Sequence, residues 1–335
     1  MTCTRRTRPT RPPRRAVVAR LTGLVVALGL AVGCSQTDVP ESLPRPTTPT
    51  TAAPAEPAPA PAGCSEDTVT QSLRPDGPPA TGEVDPGSYM ATIRARGRLR
   101  VGVDTSTLLF SSVNPRTGGF EGFDIEIAEE VSTALFGTPD AIEFVAIPKS
   151  ERVDVLLGDD PVDLVADTFT INCARAAEID FSSVYFTSHQ KLLVRTDEPA
   201  TSVDELADDD KVCAPAGSTS LRNLEALPDP PDVVAPPSQG ECLVKLQQGE
   251  VAAVSTDDTI LAGMVAQDPN LHIVGEPFSD EPYGLGLPPD RPEWVRYVNA
   301  VLEDVIASGR WSELYDELFL DRMGEADPPV AVYQD

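Results

Sequence analysis

Residues 98–104 read RLRVGVD, a short apolar run that ends at an acidic residue and therefore predicts a buried β-strand. Residues 122–137 read GFDIEIAEEVSTALFG, which predicts an amphipathic helix that ends at Gly137. Residues 141–147 read AIEFVAI and predict the next strand. Strands and helices that alternate with short connections are typical of α/β layering.

The same alternation continues to about residue 320. A second series begins after the predicted strand 185–194, and the last stretch reads as amphipathic helix. We therefore predict two α/β units, with the second inserted before the final helices. The other predicted elements are helix 150–160, strands 162–170 and 211–216, helix 218–227, strand 231–236, helix 239–250, strand 251–256, helix 257–267, strand 271–275, and helices 288–309 and 310–320.

The amino-acid composition excludes some classes of function. The chain has 335 residues, and 26 Lys+Arg against 53 Asp+Glu give a formal net charge of −27. This balance argues against a nucleic-acid binder, because no basic face is available for a phosphate backbone. A hydrophobic content of 41% with 5% aromatics fits a globular protein with a polar appendage. The length allows about two domains.

The N-terminus reads as a secretory leader. Residues 1–20 hold seven arginines and no acid, and the apolar run 21–33 follows. A run of 13 residues is too short for a permanent transmembrane helix. The leader ends in Ala31-Val32-Gly33-Cys34, which resembles a lipobox, although Ala31 departs from the commoner Leu. We expect a lipoprotein signal peptide at 1–33 and a lipid on Cys34; the alternative is an ordinary cleavage site with a spare thiol.

A proline-rich segment follows the leader. Eight prolines fall between Pro40 and Pro61, and almost nothing there could enter a core. Such a composition favours an extended chain. We therefore predict a disordered stalk over residues 34–87, which holds the folded part away from the membrane.

Four cysteines remain besides Cys34 and the one in the leader, and four allow three pairings. Cys213 and Cys242 fall in the same predicted unit, so we pair them, which leaves Cys64 with Cys173. A zinc site is the alternative, but no CxxC spacing occurs and both histidines are isolated. We expect neither a metal nor a cofactor.

Six segments form a specific set: GRLRVGVD (97–104), GFDIEIAEEV (122–131), ERVDVLLGDDPVDLVADTFTINCAR (151–175), EIDFSSVYF (178–186), AGSTS (216–220) and VAAVSTDDTILAG (251–263). Together they resemble the bacterial extracellular solute-binding proteins of family 3, the polar amino-acid type, which deliver ligand to ABC permeases. The resemblance covers roughly Ile93 to Phe319.

The resemblance implies an α/β, two-lobed periplasmic-binding-protein fold of type II-like topology. Two hinge strands, about Phe186–Val194 and His272–Leu287, would join the lobes, which close over a ligand in the cleft. The implied lobe 1 comprises residues 88–187 and 282–325 and lobe 2 comprises 188–281. A C-terminal tail, 326–335, would follow.

An amino acid offers a carboxylate and an ammonium on one carbon, so its receptor needs a planar cationic fork and an anion. Arg175 matches the family's α-carboxylate arginine, and Thr168 and Thr170 precede it at the carboxyl end of a predicted strand. From position alone, Arg175 could instead be a surface residue of a polar turn. Asp104, which ends the first strand, is a weaker candidate for the cleft.

The second lobe offers a predicted helix start and an aspartate. Free N–H groups at a helix start suit a carboxylate, but serine and threonine also prefer that position as simple caps. Asp257 matches the family's aspartate for the α-ammonium, and its alternative is again helix capping. The residues of the helix start are Gly217, Ser218, Thr219 and Ser220.

Ligand selectivity is read from two residues. Arg152 occupies the place where glutamate and aspartate receptors of the family carry an arginine for the distal carboxylate. Asp167 disfavours an acidic ligand, because a carboxylate that faces a desolvated cleft would repel the carboxylate of the ligand. We expect glutamate, aspartate, glutamine or asparagine, acidic ligands first, with a basic amino acid less favoured.

The function expected first is a lipid-anchored receptor on the outer face of the cell membrane that passes a polar amino acid to an ABC importer without chemistry of its own. One alternative is a sensor whose closed form docks on a membrane receptor. The other is a dehydratase-like enzyme on the same fold, disfavoured because no GxSxG or HExxH motif occurs. We expect a monomer that binds no nucleic acid.

Overall fold

The computed structural model describes residues 64–65, 68–79, 84–207 and 209–334. The predicted signal peptide, the lipid on Cys34 and the proline-rich segment up to residue 63 lie outside the described residues. Within the described ranges, no helix combines the length and apolarity needed to cross a membrane.

The elements alternate as the sequence predicts. The strands are β1 (Ser72–Leu73), β2 (Leu99–Val103), β3 (Ser106–Thr107), β4 (Ser111–Val113), β5 (Phe120–Glu121), β6 (Ile142–Ala146), β7 (Leu164–Val165), β8 (Asp180–Phe181), β9 (Phe186–Arg195), β10 (Lys211–Cys213), β11 (Asp232–Val234), β12 (Ala253–Asp257), β13 (Leu271–Val274), β14 (Asp280–Tyr283), β15 (Gly286–Leu287) and β16 (Tyr333–Gln334). The helices are α1 (Tyr89–Arg96), α2 (Phe123–Phe136), α3 (Asp154–Leu157), α4 (Cys173–Ala176), α5 (Thr219–Glu225), α6 (Gln239–Gln248), α7 (Asp258–Gln267), α8 (Pro292–Ala307), α9 (Arg310–Leu318) and α10 (Leu320–Met323).

Lobe 1 is built on a sheet of order β6-β2-β7-β15-β8. Strand β2 runs parallel to β6 and β7, whereas β15 is antiparallel to β7 and β8. Helix α2 buries its apolar face against this sheet and ends at Gly137, whose φ of 76° is the left-handed conformation that glycine adopts at a helix end. The predicted strand, helix and strand of residues 98–147 thus form the centre of the lobe.

Lobe 2 is built on a second sheet, of order β11-β10-β12-β9-β13. Strands β10, β11 and β12 are parallel, and β9 is antiparallel to both β12 and β13. The disulfide Cys213–Cys242 ties β10 to α6 inside the core. This is the pairing that the sequence analysis favours, and it fixes the helix that lines one side of the cleft.

Two strands cross between the lobes. The first half of β9 pairs with β14, in the register Phe186 to Tyr283 and Ser188 to Glu281, and its second half belongs to the lobe 2 sheet. Phe186 and Tyr283 stack with ring centroids 5.9 Å apart in the lobe 1 core. The return crossing is therefore β14, a shorter segment than the expected 272–287, because β13 pairs within lobe 2.

Two predicted elements are shorter than the sequence suggests. The predicted helix 150–160 is reduced to a 3₁₀ turn at Lys149–Glu151 and the single turn α3. The predicted strand 162–170 is interrupted at Thr168, whose φ of 41° lies in the left-handed region; it pairs as β7 before this turn and through a single bridge from Thr170 to Tyr283 after it. A strand cannot continue through that conformation. The chain after β7 is thereby free to form the cleft wall.

The folded body begins earlier than the predicted boundary at residue 88. Strand β1 pairs in parallel with β16, and Asn299 Nδ2 donates to Ser72 Oγ over 2.8 Å. The disulfide Cys64–Cys173 ties the N-terminal segment to α4, as the sequence analysis favours. Cys64, strand β1 and the expected C-terminal tail as far as β16 are therefore tied to lobe 1.

Candidate functional site

The carboxyl ends of the strands of both lobes meet at a pocket between the lobes. The free volume of this pocket is about 10 Å³, roughly the space that one water molecule needs. In this closed arrangement the side chains of the two lobes therefore nearly fill the pocket. The residues that line the pocket are Lys149, Arg152, Thr168, Thr170, Ser218, Thr219, Ser220, Gln239, Thr256, Asp257 and Ile260.

The lobes are closed on each other around this pocket. Arg152 and Arg175 of lobe 1 each donate to the carbonyl oxygen of Gly217 in lobe 2, both over 3.1 Å. A Cβ at Gly217 would lie 2.6 Å from Cα of Ser150, so the two main chains approach as closely as glycine allows. Gly217 also has a φ of 76°.

Arg175 lies on α4, where Asn172 caps the helix by accepting from the Arg175 N–H over 3.0 Å. Its guanidinium is buried, donates to the carbonyl of Thr170 over 2.5 Å, and lies 4.7 Å from the ring centroid of Phe169. Burial and the nearby Arg152 hold the pKa of Arg175 well below its usual value. It contacts the Gly217 carbonyl at the pocket edge without lining the pocket, and the alternative of an exposed turn residue does not hold.

Arg152 does line the pocket. Nε donates to the carbonyl of Lys149 over 2.9 Å and Nη1 donates to that of Asp167 over 3.0 Å. Burial lowers the pKa of Arg152, and the Asp167 carboxylate partly restores it. Two buried guanidiniums thus converge on one neutral carbonyl, an arrangement that an anion would stabilise.

Lys149 was not predicted as a site residue. Its Nζ is buried and donates to Asp167 Oδ1 over 2.7 Å and to Thr168 Oγ1 over 3.0 Å. The sequence analysis expects the inward carboxylate of Asp167 to repel an acidic ligand. This repulsion is reduced, because the carboxylate pairs with a lysine from the turn before α3. Burial raises the pKa of Asp167, while Lys149 and Arg152 oppose this shift.

The turn at Thr168 is held by a buried carboxylate. Asp124 Oδ2 accepts from the Thr168 N–H over 2.7 Å, and Asp124 Oδ1 accepts from Tyr185 Oη over 2.5 Å. Burial raises the pKa of Asp124 to about 6. A β-branched residue with positive φ costs about 1–3 kcal/mol, a strain that folded proteins keep mostly at functional sites.

The helix start of lobe 2 has mixed roles. Ser218 accepts from the Leu221 N–H over 3.0 Å and donates to the carbonyl of Pro215 over 2.7 Å, so it caps α5 as the alternative reading expected. Thr219 and Ser220 also line the pocket. Thr219 Oγ1 lies 3.4 Å from Thr170 Oγ1 of lobe 1.

Asp257 lines the pocket from the end of β12. It occupies the N-cap position of α7, yet its side chain makes no capping hydrogen bond. Tyr283 Oη donates to Asp257 Oδ2, and Ser220 Oγ donates to Oδ1 over 3.4 Å. Burial, and secondly the charge of Glu281, raise the pKa of Asp257 to about 7.

Asp104 is not among the residues that line the pocket. Its Oδ1 accepts from both the N–H and the hydroxyl of Ser106 and so shapes the turn between β2 and β3. No group of three or more His, Cys, Asp or Glu within the described ranges could hold a metal ion.

A profile of the bacterial extracellular solute-binding proteins, family 3, matches residues 99–321. The chain belongs to this family. Its members work outside the cytoplasm, and the two-lobed α/β fold is the expected one.

Named relatives and a solved structure agree with the membership. The chain is 34% identical over 226 residues to the ABC transporter glutamine-binding protein of Bacillus subtilis, covering 68% of this chain and 82% of that one. It is 30% identical over 249 residues to the glutamate-binding protein of Corynebacterium glutamicum, covering 71% and 84%. The crystal structure of the solute receptor for L-cysteine of Neisseria gonorrhoeae superposes with a TM-score of 0.66 at 25% identity, covering 70% and 95%. All three are named as binding proteins or receptors.

Proposed function

We propose that this protein binds a polar amino acid of the glutamate and glutamine type between its lobes. The observation that carries the proposal is charge placement: two buried guanidiniums of lobe 1 meet at one edge of the pocket, and the buried Asp257 of lobe 2 lines it. A zwitterion satisfies both, because its carboxylate pairs with a planar fork and its ammonium pairs with a carboxylate. Two relatives that are named for glutamine and glutamate support the ligand class.

In this proposal Arg175 holds the α-carboxylate together with main-chain groups of Thr170, Gly217, Thr219 and Ser220, and Asp257 holds the α-ammonium. Arg152 then faces the distal group of the ligand, together with Thr168 and Lys149, which also line the pocket. We keep acidic ligands first, because Lys149 and Arg152 both pair with the single carboxylate of Asp167, and the excess positive charge would favour a distal carboxylate.

The proposed working cycle is delivery to an ABC importer. The lobes, proposed as residues 88–187 with 282–325 and residues 188–281, would close over the ligand and present a new surface to the permease. A lipid on Cys34 would hold the monomer on the outer face of the membrane, and the sensor alternative would use the same closure. Replacing Cys34 with Ser and following release into the medium tests the anchor.

The binding proposal is tested by a thermal-shift panel of the twenty amino acids on the full chain, since a ligand stabilises the state that binds it. We expect the largest increase in Tm among the twenty to be given by glutamate, aspartate, glutamine or asparagine. A flat response to all twenty would contradict the proposal.

A further inference from the structure

Glu281 is a buried carboxylate of the hinge strand β14 that the sequence analysis did not single out. Its Oε2 accepts from Thr170 Oγ1 of lobe 1 over 2.7 Å and from Thr219 Oγ1 of lobe 2 over 2.6 Å. One oxygen of a hinge residue therefore joins the two lobes through a hydroxyl from each.

We propose that Glu281 is a positioning residue that latches the closed state of the cleft and orients the two threonine hydroxyls toward the ligand. The proposal rests on the proposed function for its ligand. Its geometry stands on the contacts of Thr170 and Thr219, which line the ligand pocket and lie 3.4 Å apart across the cleft.

The other oxygen of Glu281 is held from the lobe 2 side. Ser279 Oγ donates to Oε1 over 2.6 Å and Asn223 Nδ2 donates over 3.4 Å, while Asn223 also donates to Gln190 Oε1 over 2.8 Å. The carboxylate is thus fixed whether or not Thr170 reaches it. Opening the lobes would separate Thr170 or Thr219 from Oε2 and leave a buried charged acceptor with fewer donors, which is unfavourable.

The three hydrogen-bonded side chains of Glu281, Thr170 and Thr219, which we call the latch, also close the hinge side of the pocket. Thr170 and Thr219 line both the ligand pocket and a wider groove on the hinge side that is open to solvent, and Glu281 lines that groove. While the latch is formed, the three side chains stand between the two spaces. Excluding water there strengthens every charge interaction inside the pocket.

The latch has a consequence for ligand orientation. A hydroxyl has one hydrogen, and in both threonines it is donated to Glu281, so only oxygen lone pairs are left for the ligand. Lone pairs accept from an ammonium and cannot donate to a carboxylate. Glu281 therefore directs both hydroxyls toward the amine end of a zwitterion, on the side of Asp257.

Glu281 also acts on Asp257 through its charge, since it is one of the causes that raise the pKa of Asp257. Replacing Glu281 by a neutral isostere removes an anion and should lower that pKa. Besides Glu281, the titratable and charged groups that act on Asp257 are Tyr283 of β14, Lys149, Arg152 and Arg175 of lobe 1, and Asp258 of α7.

The test compares the wild-type chain with Glu281→Gln. In the ligand-free proteins we expect backbone hydrogen exchange in residues 167–171 and 217–221 to be about tenfold faster in the variant, because the closed state is less populated. For glutamate or glutamine, whichever binds, we expect about tenfold weaker calorimetric binding. We expect the pH at which affinity falls to move down by roughly half a unit or more.

A matched control separates the latch from general stability. Asp163→Asn alters another fully buried carboxylate, which accepts from Tyr89, Arg96 and the Arg100 N–H within lobe 1 only. We expect it to lower Tm without changing the cleft exchange rates or the pH midpoint. If Glu281→Gln does not fold, Thr219→Val removes the lobe 2 arm alone and should accelerate exchange in the same two segments.

The outcomes distinguish this inference from the proposed function. If the wild type binds no amino acid, the proposed function fails, and the exchange rates of the ligand-free proteins still test the latch. If the wild type binds and Glu281→Gln shows the same affinity, exchange and pH midpoint, the latch is overturned. Equal effects of Glu281→Gln and Asp163→Asn would overturn it as well.

Discussion

The two walls of the interlobe pocket hold their charges differently. On the lobe 1 wall, Lys149 is paired with Asp167 at 2.7 Å and Arg152 is bonded to main-chain carbonyls. On the lobe 2 wall, Asp257 has a pKa raised to about 7 by burial, and it accepts from the neutral hydroxyl of Tyr283.

The lobe 1 wall therefore carries its positive charges before the ligand binds, whereas Asp257 of the lobe 2 wall becomes fully ionised only when the ligand binds. Guanidinium groups remain cationic at any physiological pH. A carboxyl with a pKa near 7 is ionised only in part until an ammonium arrives. We therefore expect lobe 1 to bind the ligand first and lobe 2 to complete the charge pairing as the cleft closes.

The largest expected effect comes from the lobe 1 wall. Arg175→Ala removes a buried guanidinium that contacts Gly217, and we expect amino-acid binding to weaken by about 3 kcal/mol, roughly a hundredfold. Calorimetry measures the change. Arg98→Ala is the control, because Arg98 forms an exposed pair with Glu143. An unchanged dissociation constant in Arg175→Ala would remove this residue from the carboxylate site.

The next effect comes from the closest approach of the two walls. Gly217→Ala places a Cβ 2.6 Å from Cα of Ser150, so the lobes should no longer close fully, and we expect about thirtyfold weaker binding. Gly249→Ala is the matched control: its φ of 71° is similar, but no atom lies within 4 Å of the added Cβ. Equal losses in the two variants would show that backbone strain, and not closure, is responsible.

The pH dependence tests the lobe 2 wall. An ammonium favours ionised Asp257, so binding lowers its pKa from about 7 and releases a proton wherever the free protein is protonated. Affinity should therefore be full above pH 7 and fall as pH decreases below it, by up to about tenfold per unit. Calorimetric titrations between pH 5 and pH 8 measure this. The Asp257→Asn variant should bind weakly at every pH and show no further loss of affinity as the pH decreases. A wild-type affinity that does not change with pH would contradict the assignment of Asp257 to the α-ammonium.

The smallest expected effect is a difference between two ligands, measured as the ratio of the affinity losses for glutamate and glutamine. Arg152→Met removes the cation near the distal end of the ligand, and we expect glutamate to lose about fivefold more affinity than glutamine. Both ligands are titrated into the same variant, so changes of general stability cancel. Equal losses would place Arg152 outside the side-chain pocket and leave it as a support for the turn at Thr168.

The sequence predicts the regular parts of the fold well. Strands β2 and β6 and helix α2 lie inside their predicted ranges, because a buried strand needs a continuous apolar run and a helix needs a spaced one. Both disulfide pairs follow from cysteine counting once the units are recognised. The strands and the helix depend on neighbours in the sequence, whereas the disulfides join cysteines 109 and 29 residues apart and could be paired only by elimination.

The parts that the sequence missed depend on distant neighbours. Lys149 gains its role from Asp167, 18 residues later, and only because the chain turns at Thr168. Glu281 gains its role from the register of β14 against β9, which brings Thr170 and Thr219 to one oxygen. A lysine in a turn and a glutamate in an edge segment carry no local signal of burial.

The central claim is that both ends of a zwitterion are recognised between the lobes. It is tested most directly by calorimetric titration of the full chain with L-glutamate and L-glutamine, each also offered as its α-carboxamide and its N-acetyl derivative. We predict one-to-one binding of at least one free amino acid and a loss of roughly a hundredfold for either of its derivatives. Binding of the derivatives as tightly as the free amino acid would contradict the claim.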